Sequence, residues 1–327
     1  NTTSGVEWVI EAQNVGATWT KIALLLFAEA QPYCEPQVQA PFKIECTGYL
    51  APGSSWEFRA AQLPVQAVGG IAYSVPVDQA DAACRAADQA RRNNNWWGWE
   101  QQWKNGQWGQ GEPLAVSVNR RFTNTATGLS YADAYTGISE YMEGQRDVRF
   151  GSYTFYTPIN YVDYNGCNTT LTIQNSGDEC TSIEIWYKEQ DNCLRAQIDS
   201  VPQLAPGESV TIKPPSTLGP GWIGSAWIRA SQPLGIVADI RCTNNGITTL
   251  STYTGIPAEY YDTMNHIFQP GSLFAYGPLT YREEYGWDTT VQVQNMSSIT
   301  NAKVKVYFFD NSGDIIRTMV DWVCPRG

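Results

Sequence analysis

Histidine is all but missing from this chain: there is one, His266, in 327 residues. A zinc site built on two or three histidines is therefore excluded, and a nucleophile–base pair would have to use that ring or none. Charge is scarce as well. Charged residues make up 16% of the chain, against about 25% in an average globular protein. Lys and Arg number 21 and Asp and Glu 32, for a net charge of -11. A phosphate-binding surface needs clustered basic residues, so nucleic acid is not an expected partner. Apolar runs are short. The longest, Ile22 to Ala28, falls well below the ~20 residues of a spanning helix and fits one buried strand, so no membrane span is expected. Nothing in the spacing calls for a cofactor or a resident metal. Bulk disorder is excluded too, because aromatics are 13% of the chain, with 18 Tyr and 13 Trp.

What the chain does have is repetition. Cys167-Asn-Thr-Thr-Leu-Thr-Ile-Gln-Asn175 returns as Trp287-Asp-Thr-Thr-Val-Gln-Val-Gln-Asn295, and an earlier copy opens the chain at Glu7-Trp-Val-Ile-Glu-Ala-Gln-Asn14. Pro113-Leu pairs with Pro233-Leu, Tyr135-Thr-Gly-Ile138 with Tyr253-Thr-Gly-Ile256, and Ala51-Pro-Gly53 with Ala205-Pro-Gly207. The period is about 120 residues, the size of one domain per repeat. The first copy is longer, with a short extension around Cys34 and Cys46 and a larger one over 76–112. Alternating apolar and polar residues at Thr169–Gln174, Ser182–Tyr187, Ser209–Ile212 and Ile223–Ile228, punctuated by Pro-Gly and Asn-Gly turns, predict short strands. The expected fold is all-β: tandem immunoglobulin-like β-sandwich domains with one helical, Trp-rich insertion in the first. The divisions are repeat one over 1–138, a Tyr-rich connector over 139–166, and repeat two over 167–256. A second connector covers 257–286 and a partial repeat three 287–327. Both connectors are too apolar for floppy linkers and are expected to pack between domains as extended strands.

Repeat three stops where its Pro-Gly turn should fall, at Cys324-Pro-Arg-Gly327. Strands equivalent to Ser209–Ile212, Ile223–Ile228 and Leu234–Asp239 are missing, which would expose Val304, Val306 and Phe308 beside unpaired edges. Two readings stand: the chain is a segment of a longer array, or a neighbouring subunit packs on the half-domain. The first residues could supply one short strand, too little for simple donor-strand exchange. Intact mass of the native chain separates the readings.

Eight cysteines lie at 34, 46, 84, 167, 180, 193, 242 and 324, none of them in a C-x-x-C pair. An even number in an acidic, β-rich chain points to disulfides and an oxidising compartment. Local spacing favours Cys34–Cys46 and Cys180–Cys193. Asn1 reads as a processed terminus or an artificial boundary. Asn1, Asn168 and Asn295 begin glycosylation sequons. Within the insertion, Asp78–Arg92 predicts a helix, with Asp78 as cap and Arg91 and Arg92 at its far end. Trp96, Trp97, Trp99, Trp103 and Trp108 follow. Such rings suit a domain edge within the subunit, a contact between subunits, or stacking on sugars. Other candidates are set aside. His266 reads as structural. Asp310-Asn-Ser-Gly-Asp314 reads as a hairpin turn rather than a calcium loop. Glu283, Glu284 and Asp191 have no spacing that pairs them, and Arg120 and Arg121 read as solvated or interfacial.

The repeat resembles the tandem immunoglobulin-like repeats of secreted and surface-exposed bacterial proteins. Its carriers are the Trp/Cys-x-Thr-Thr-x-x-x-Gln-Asn strand, the Leu204-Ala-Pro-Gly207 turn, the strand at Pro233 and the Tyr-Thr-Gly-Ile stretch. That resemblance implies an extracellular location and a scaffold or adhesive role. No catalytic constellation is visible, so an enzyme is not expected. The first expectation is a structural subunit of an extracellular filament or surface layer, with copies of itself as partner. The alternative is a secreted adhesin that binds glycans through the Trp insertion.

Overall fold

The computed structural model describes residues 6–27, 34, 41–59, 69–93, 95, 98–99, 102, 107–108, 111–123, 130–137, 152–190, 192, 196–244, 247–257, 262–263, 266–267, 291–297, 300–310 and 312–325. The architecture is mostly β, in small antiparallel sheets, with one long helix among these residues.

The first repeat, unit one, contains β1 (Val6–Asn14), β2 (Thr20–Phe27), β3 (Lys43–Cys46), β4 (Ser55–Arg59), β5 (Gly69–Pro76), α1 (Val77–Arg92), β6 (Leu114–Thr123) and β7 (Ser130–Thr136). One sheet has the order β4-β1-β6-β7 and the other β3-β2-β5. Strand β2 explains the long apolar run. Ile22, Leu24 and Leu26 face a core shared with Ala12 and Phe58 of the other sheet and with Leu50, which bridges to Thr20. Ala23, Leu25 and Phe27 point the opposite way, beneath Ala87 of α1, Tyr73 and Trp99. A strand buried on both faces loses its alternation and reads as continuous hydrophobe. The helix presents Ala80, Ala83 and Ala87 inward. It begins one residue before the expected start, after Pro76, and no side chain caps it. Asp78 instead sits within the first turn, where a carboxylate favours the positive end of the helix dipole.

Unit two repeats this plan. Its strands are β8 (Tyr153–Val162), β9 (Cys167–Asn175), β10 (Thr181–Glu189), β11 (Ala196–Leu204), β12 (Ser209–Ile212), β13 (Trp222–Ala230), β14 (Leu234–Asn244), β15 (Ile247–Thr254) and β16 (Ile256–Pro257). The sheet order β12-β9-β14-β15 mirrors β4-β1-β6-β7 strand for strand, and β11-β10-β13 mirrors β3-β2-β5. One core joins the two sheets, with Leu171 and Ile173 from the first and Ile183, Ile185, Tyr187 and Ile228 from the second. The first connector is an extended strand over Tyr153–Val162, β8, and it pairs along β13 and widens that sheet. From the second connector, β17 (Asp262–Thr263) and β18 (His266–Ile267) form a small hairpin. The third repeat contributes β19 (Ala302–Phe309) and β20 (Ile315–Val323), which among the described residues pair only with each other, while residues 291–297 run in irregular conformation.

A buried asparagine marks the start of every unit. Asn14 Nδ2 donates to Thr18 O (2.8 Å) and Leu50 O (3.1 Å), and its Oδ1 accepts from Gly16 N (3.0 Å). Asn175 does the same with Glu179 O (2.8 Å), Leu204 O (3.0 Å) and Gly177 N (3.0 Å). Asn295 does so with Thr300 O (2.7 Å), Val323 O (3.0 Å) and Ser297 N (3.0 Å). These bonds fix the equivalences, so that Leu50, Leu204 and Val323 correspond. Their partners across the ladder, Thr20, Thr181 and Ala302, then correspond as well. A second recurring element is the Tyr-Thr-Gly-Ile stretch. A β-carbon on Gly137 would fall 2.8 Å from Val116 Cβ, and one on Gly255 would fall 2.8 Å from Ile236 Cβ. Only glycine lets the end of β7 or β15 lie that close to the neighbouring strand.

Asn175→Ala is expected to lower unfolding stability by about 3 kcal/mol, since it strands the Leu204 carbonyl and the Gly177 amide, both in buried hydrogen bonds. Urea denaturation of the oxidised protein checks this.

Candidate functional site

The described features that set this chain apart are the joints between units and the surfaces left open at its two ends. At the first joint, unit two's Ala205–Ser209 turn is wholly buried. Gly207, with φ 77°, lies against the Phe27 ring, so a β-carbon there would come within 3.0 Å of it. Gly69 of β5 leaves room for unit two in the same way, because its β-carbon would fall 2.1 Å from Ser209 Oγ. Cys34 of unit one is bonded to Cys180 of unit two, with the Cα atoms 6.0 Å apart. On β6, Arg120 reaches Asp239 Oδ1 (2.5 Å) and Thr252 Oγ1 (2.7 Å), a cross-strand pair of unit two. Both charged side chains are largely shielded from solvent. Of the two assignments for Arg120, solvated or interfacial, the structure shows the second; β6 runs through Arg121.

The second joint uses the outer face of unit two's larger sheet. Cross-strand neighbours Trp186, Trp227 and Tyr156 form an aromatic row there. Trp186 and Trp227 stack with centroids 5.6 Å apart, and the Arg229 guanidinium lies 5.4 Å from the Trp186 ring centre. Met296 of the third repeat packs on this row. Tyr156 Oη donates to Met296 O (3.0 Å), Gln294 Nε2 to Ala226 O (3.3 Å), and Lys188 Nζ to Pro325 O.

Among the described residues, unit three keeps core-facing side chains without the strands that cover them in unit two. By the asparagine register, Val304, Val306 and Phe308 occupy the places of Ile183, Ile185 and Tyr187. Val291 and Val293 occupy those of Leu171 and Ile173. Leu171 and Ile173 are 0% exposed, whereas Val291 is 49% and Val293 43% exposed. Val304, Val306 and Phe308 are half-buried, and Met319, Val320 and Trp322 of β20 are exposed. At the opposite end, unit one exposes Val15, Trp19, Tyr49 and Trp56. The loop carrying Val15 and Trp19 is held by Glu112 at the end of the insertion. Its Oε2 accepts from Ala17 N (2.7 Å) and its other oxygen accepts from the Thr18 hydroxyl. The Thr18 hydroxyl and then the Ala17 amide hold the Glu112 carboxyl below the usual carboxylate range.

The tryptophans of the insertion divide. Trp99 is buried, with its ring edge-on to Tyr73 at 6.1 Å, and Trp108 is half-buried against Val75, Ala80 and Ala83. Both fill the space between α1 and the β2 sheet. Trp96, Trp97 and Trp103 lie outside the described residues.

The expected pairing of cysteines needs correction. Cys34 bonds Cys180, not Cys46, and Cys46 bonds Cys84, stapling β3 to the helix. Cys167 and Cys242 bond across directly paired positions of β9 and β14. Cys324 is disulfide-bonded as well. Sequence proximity misled because both bonds made by Cys34 and Cys46 fasten one element onto another instead of closing a local loop. Cys193 lies outside the described residues.

Among the sequons, Asn168 is exposed and Asn1 lies outside the described residues. Asn295 is buried and its amide nitrogen serves two carbonyls. The Asp310–Asp314 stretch is the β19–β20 turn, with Asp310 Oδ1 accepting from the amides of Ser312 (2.9 Å) and Asp314 (3.0 Å). The backbone of His266 sits in β18. Glu283, Glu284 and Asp191 lie outside the described residues. Among the described residues no metal-ligating cluster occurs, and no helix is long and apolar enough to cross a membrane. The asparagine triplet was visible in the repeat but its role was not, since only the folded turn shows which carbonyls it satisfies.

No family model matches the chain, and no curated protein matches it. Among solved structures, the crystal structure of Thermotoga maritima 1070 aligns with 32% of this chain and 91% of its own, at 20% identity and a TM-score of 0.27. A likeness that low bears on neither fold nor function.

Two outcomes follow. Non-reducing peptide mapping should recover Cys34–Cys180, Cys46–Cys84 and Cys167–Cys242 and no Cys34–Cys46 peptide. In a glycosylating host, mass spectrometry of the secreted, folded protein should find Asn295 unmodified, because the side chain is buried and a glycan there would break both hydrogen bonds of its amide nitrogen.

Proposed function

We propose that this chain is a structural subunit of an extracellular filament or surface layer, assembling head-to-tail through its third unit. The observation that carries this reading is the half-open core of that unit. Val291 and Val293 stand about half exposed where their counterparts in unit two are sealed. Returning each such side chain to a covered core contributes about 1 kcal/mol, so five or six of them supply a useful fraction of an interface. A contact between unlike ends of identical subunits does not close on itself and generates a filament.

The disulfides support an oxidising, extracellular setting. The domains are read as tandem two-sheet sandwiches. In the seven strands of unit one the fourth, first, sixth and seventh lie opposite the third, second and fifth. Immunoglobulin constant domains group their strands as ABED opposite CFG. The unit shares with that fold a division into a four-stranded and a three-stranded sheet and differs from it in which strands each sheet takes.

A glycan-binding adhesin has less support. A sugar needs an open indole face, and Trp99 is spent on the core while Trp108 is half-covered.

Sedimentation velocity across a concentration series tests the proposal. The chain should form large species, and removal of residues 291–327 should abolish them while units one and two still unfold cooperatively. Large species that persist after the truncation contradict it.

A further inference from the structure

Consecutive units join in one way: the start end of one sits on the finishing end of the unit before. The first joint gives the fullest view. The Ala205-Pro206-Gly207 turn of unit two is buried, and Gly207 backs onto Phe27, the last residue of β2. Cys180, five residues after Asn175, lies at the same joint and is bonded to unit one. The second joint repeats the geometry with other residues. Lys188 holds the position of Phe27 and donates to Pro325 O, the counterpart of Pro206.

Two half-joints remain. Unit one has the same turn, Ala51-Pro52-Gly53, and Gly53 has the same φ of 77° as Gly207. Around Gly53 there is open space: a β-carbon would meet nothing within 4 Å. Trp19 stands five residues after Asn14, where unit two has Cys180, and is 55% exposed. At the other end, Phe309 closes β19 in the place of Phe27 and is 58% exposed, beside exposed Ile315 and Ile316. The unfilled receiver is thus again a phenylalanine and the unfilled turn again Ala-Pro-Gly. The Phe-against-Ala-Pro-Gly contact of the first joint thus has both its halves exposed, one on unit one and one on unit three.

We propose that Phe309 of one copy receives the Ala51-Pro52-Gly53 turn of the next, so that the joint between units one and two recurs between copies. The occupant of unit one's exposed start end is therefore a second copy of this chain. Trp19 takes the position of Cys180 and closes the contact by apolar burial where the first joint uses a disulfide. The proposal deepens the assembly reading above and rests on it.

The test places the photoreactive residue p-benzoylphenylalanine at position 309 in the full oxidised chain. It is mixed with isotopically labelled unmodified chain, irradiated and digested. The expected product joins position 309 to a labelled peptide from 15–19 or 49–56. In parallel, Trp19→Asp should raise the concentration of half-assembly about thirty-fold, as loss of a central aromatic contact does. Large species whose crosslinks map elsewhere, or to the same copy, overturn this joint and leave the assembly reading standing. A chain that sediments as a monomer throughout overturns both.

Discussion

The side-chain amides of Asn14, Asn175 and Asn295 each satisfy three backbone groups that the end of a β unit would otherwise bury unpaired. Several of these groups lie in buried hydrogen bonds, at Leu50, Leu204 and Gly177, and a buried group left unpaired costs about 1–3 kcal/mol. Meeting them from one residue locks the loop after the first strand to the end of the third. That lock shapes the start end of the unit, and the start end makes the joint. Proximity of the loop and the Pro-Gly turn, the buried seat on Phe27 and the disulfide at Cys180 all follow from it.

The second constraint is that a sheet has two faces. Unit one covers the outer face of its smaller sheet with α1, Trp99 and Trp108; unit two covers the outer face of its larger sheet with Met296 and Gln294. Unit three has neither an opposing sheet nor an outer cover among the described residues. Its alternation is intact, with Val304, Val306 and Phe308 on one face and Lys303, Lys305, Tyr307 and Phe309 on the other. It resembles a repeat protein's interior unit, whose stability depends on its neighbours.

Much of this was legible in the sequence because the repeat is. The strands of unit two, the buried character of Ile22–Phe27, the helix over 77–92 and the turn at Asp310–Asp314 follow from period, capping residues and turn chemistry. Cysteine pairing was not legible. Spacing favours neighbours, and Cys34, Cys46 and Cys84 are brought to their partners by the packing of whole elements. The tryptophans were ambiguous for a related reason: an indole suits a core, an interface or a sugar equally well until the surface it faces is known, and for Trp99 that surface is the outer side of β2 and β5. Nor could the first connector be told from a spacer, because the partner of β8 is β13, about 70 residues on.

The units are joined in series, and the proposal adds one more joint, between the exposed Ala51-Pro52-Gly53 turn of one copy and the exposed Phe309 of another. The account's central claim is that this series continues between copies. Negative-stain electron microscopy of the unreduced protein tests it most directly. The account predicts filaments or sheets whose axial repeat equals the length of one chain. A field of separate particles at every concentration would contradict it.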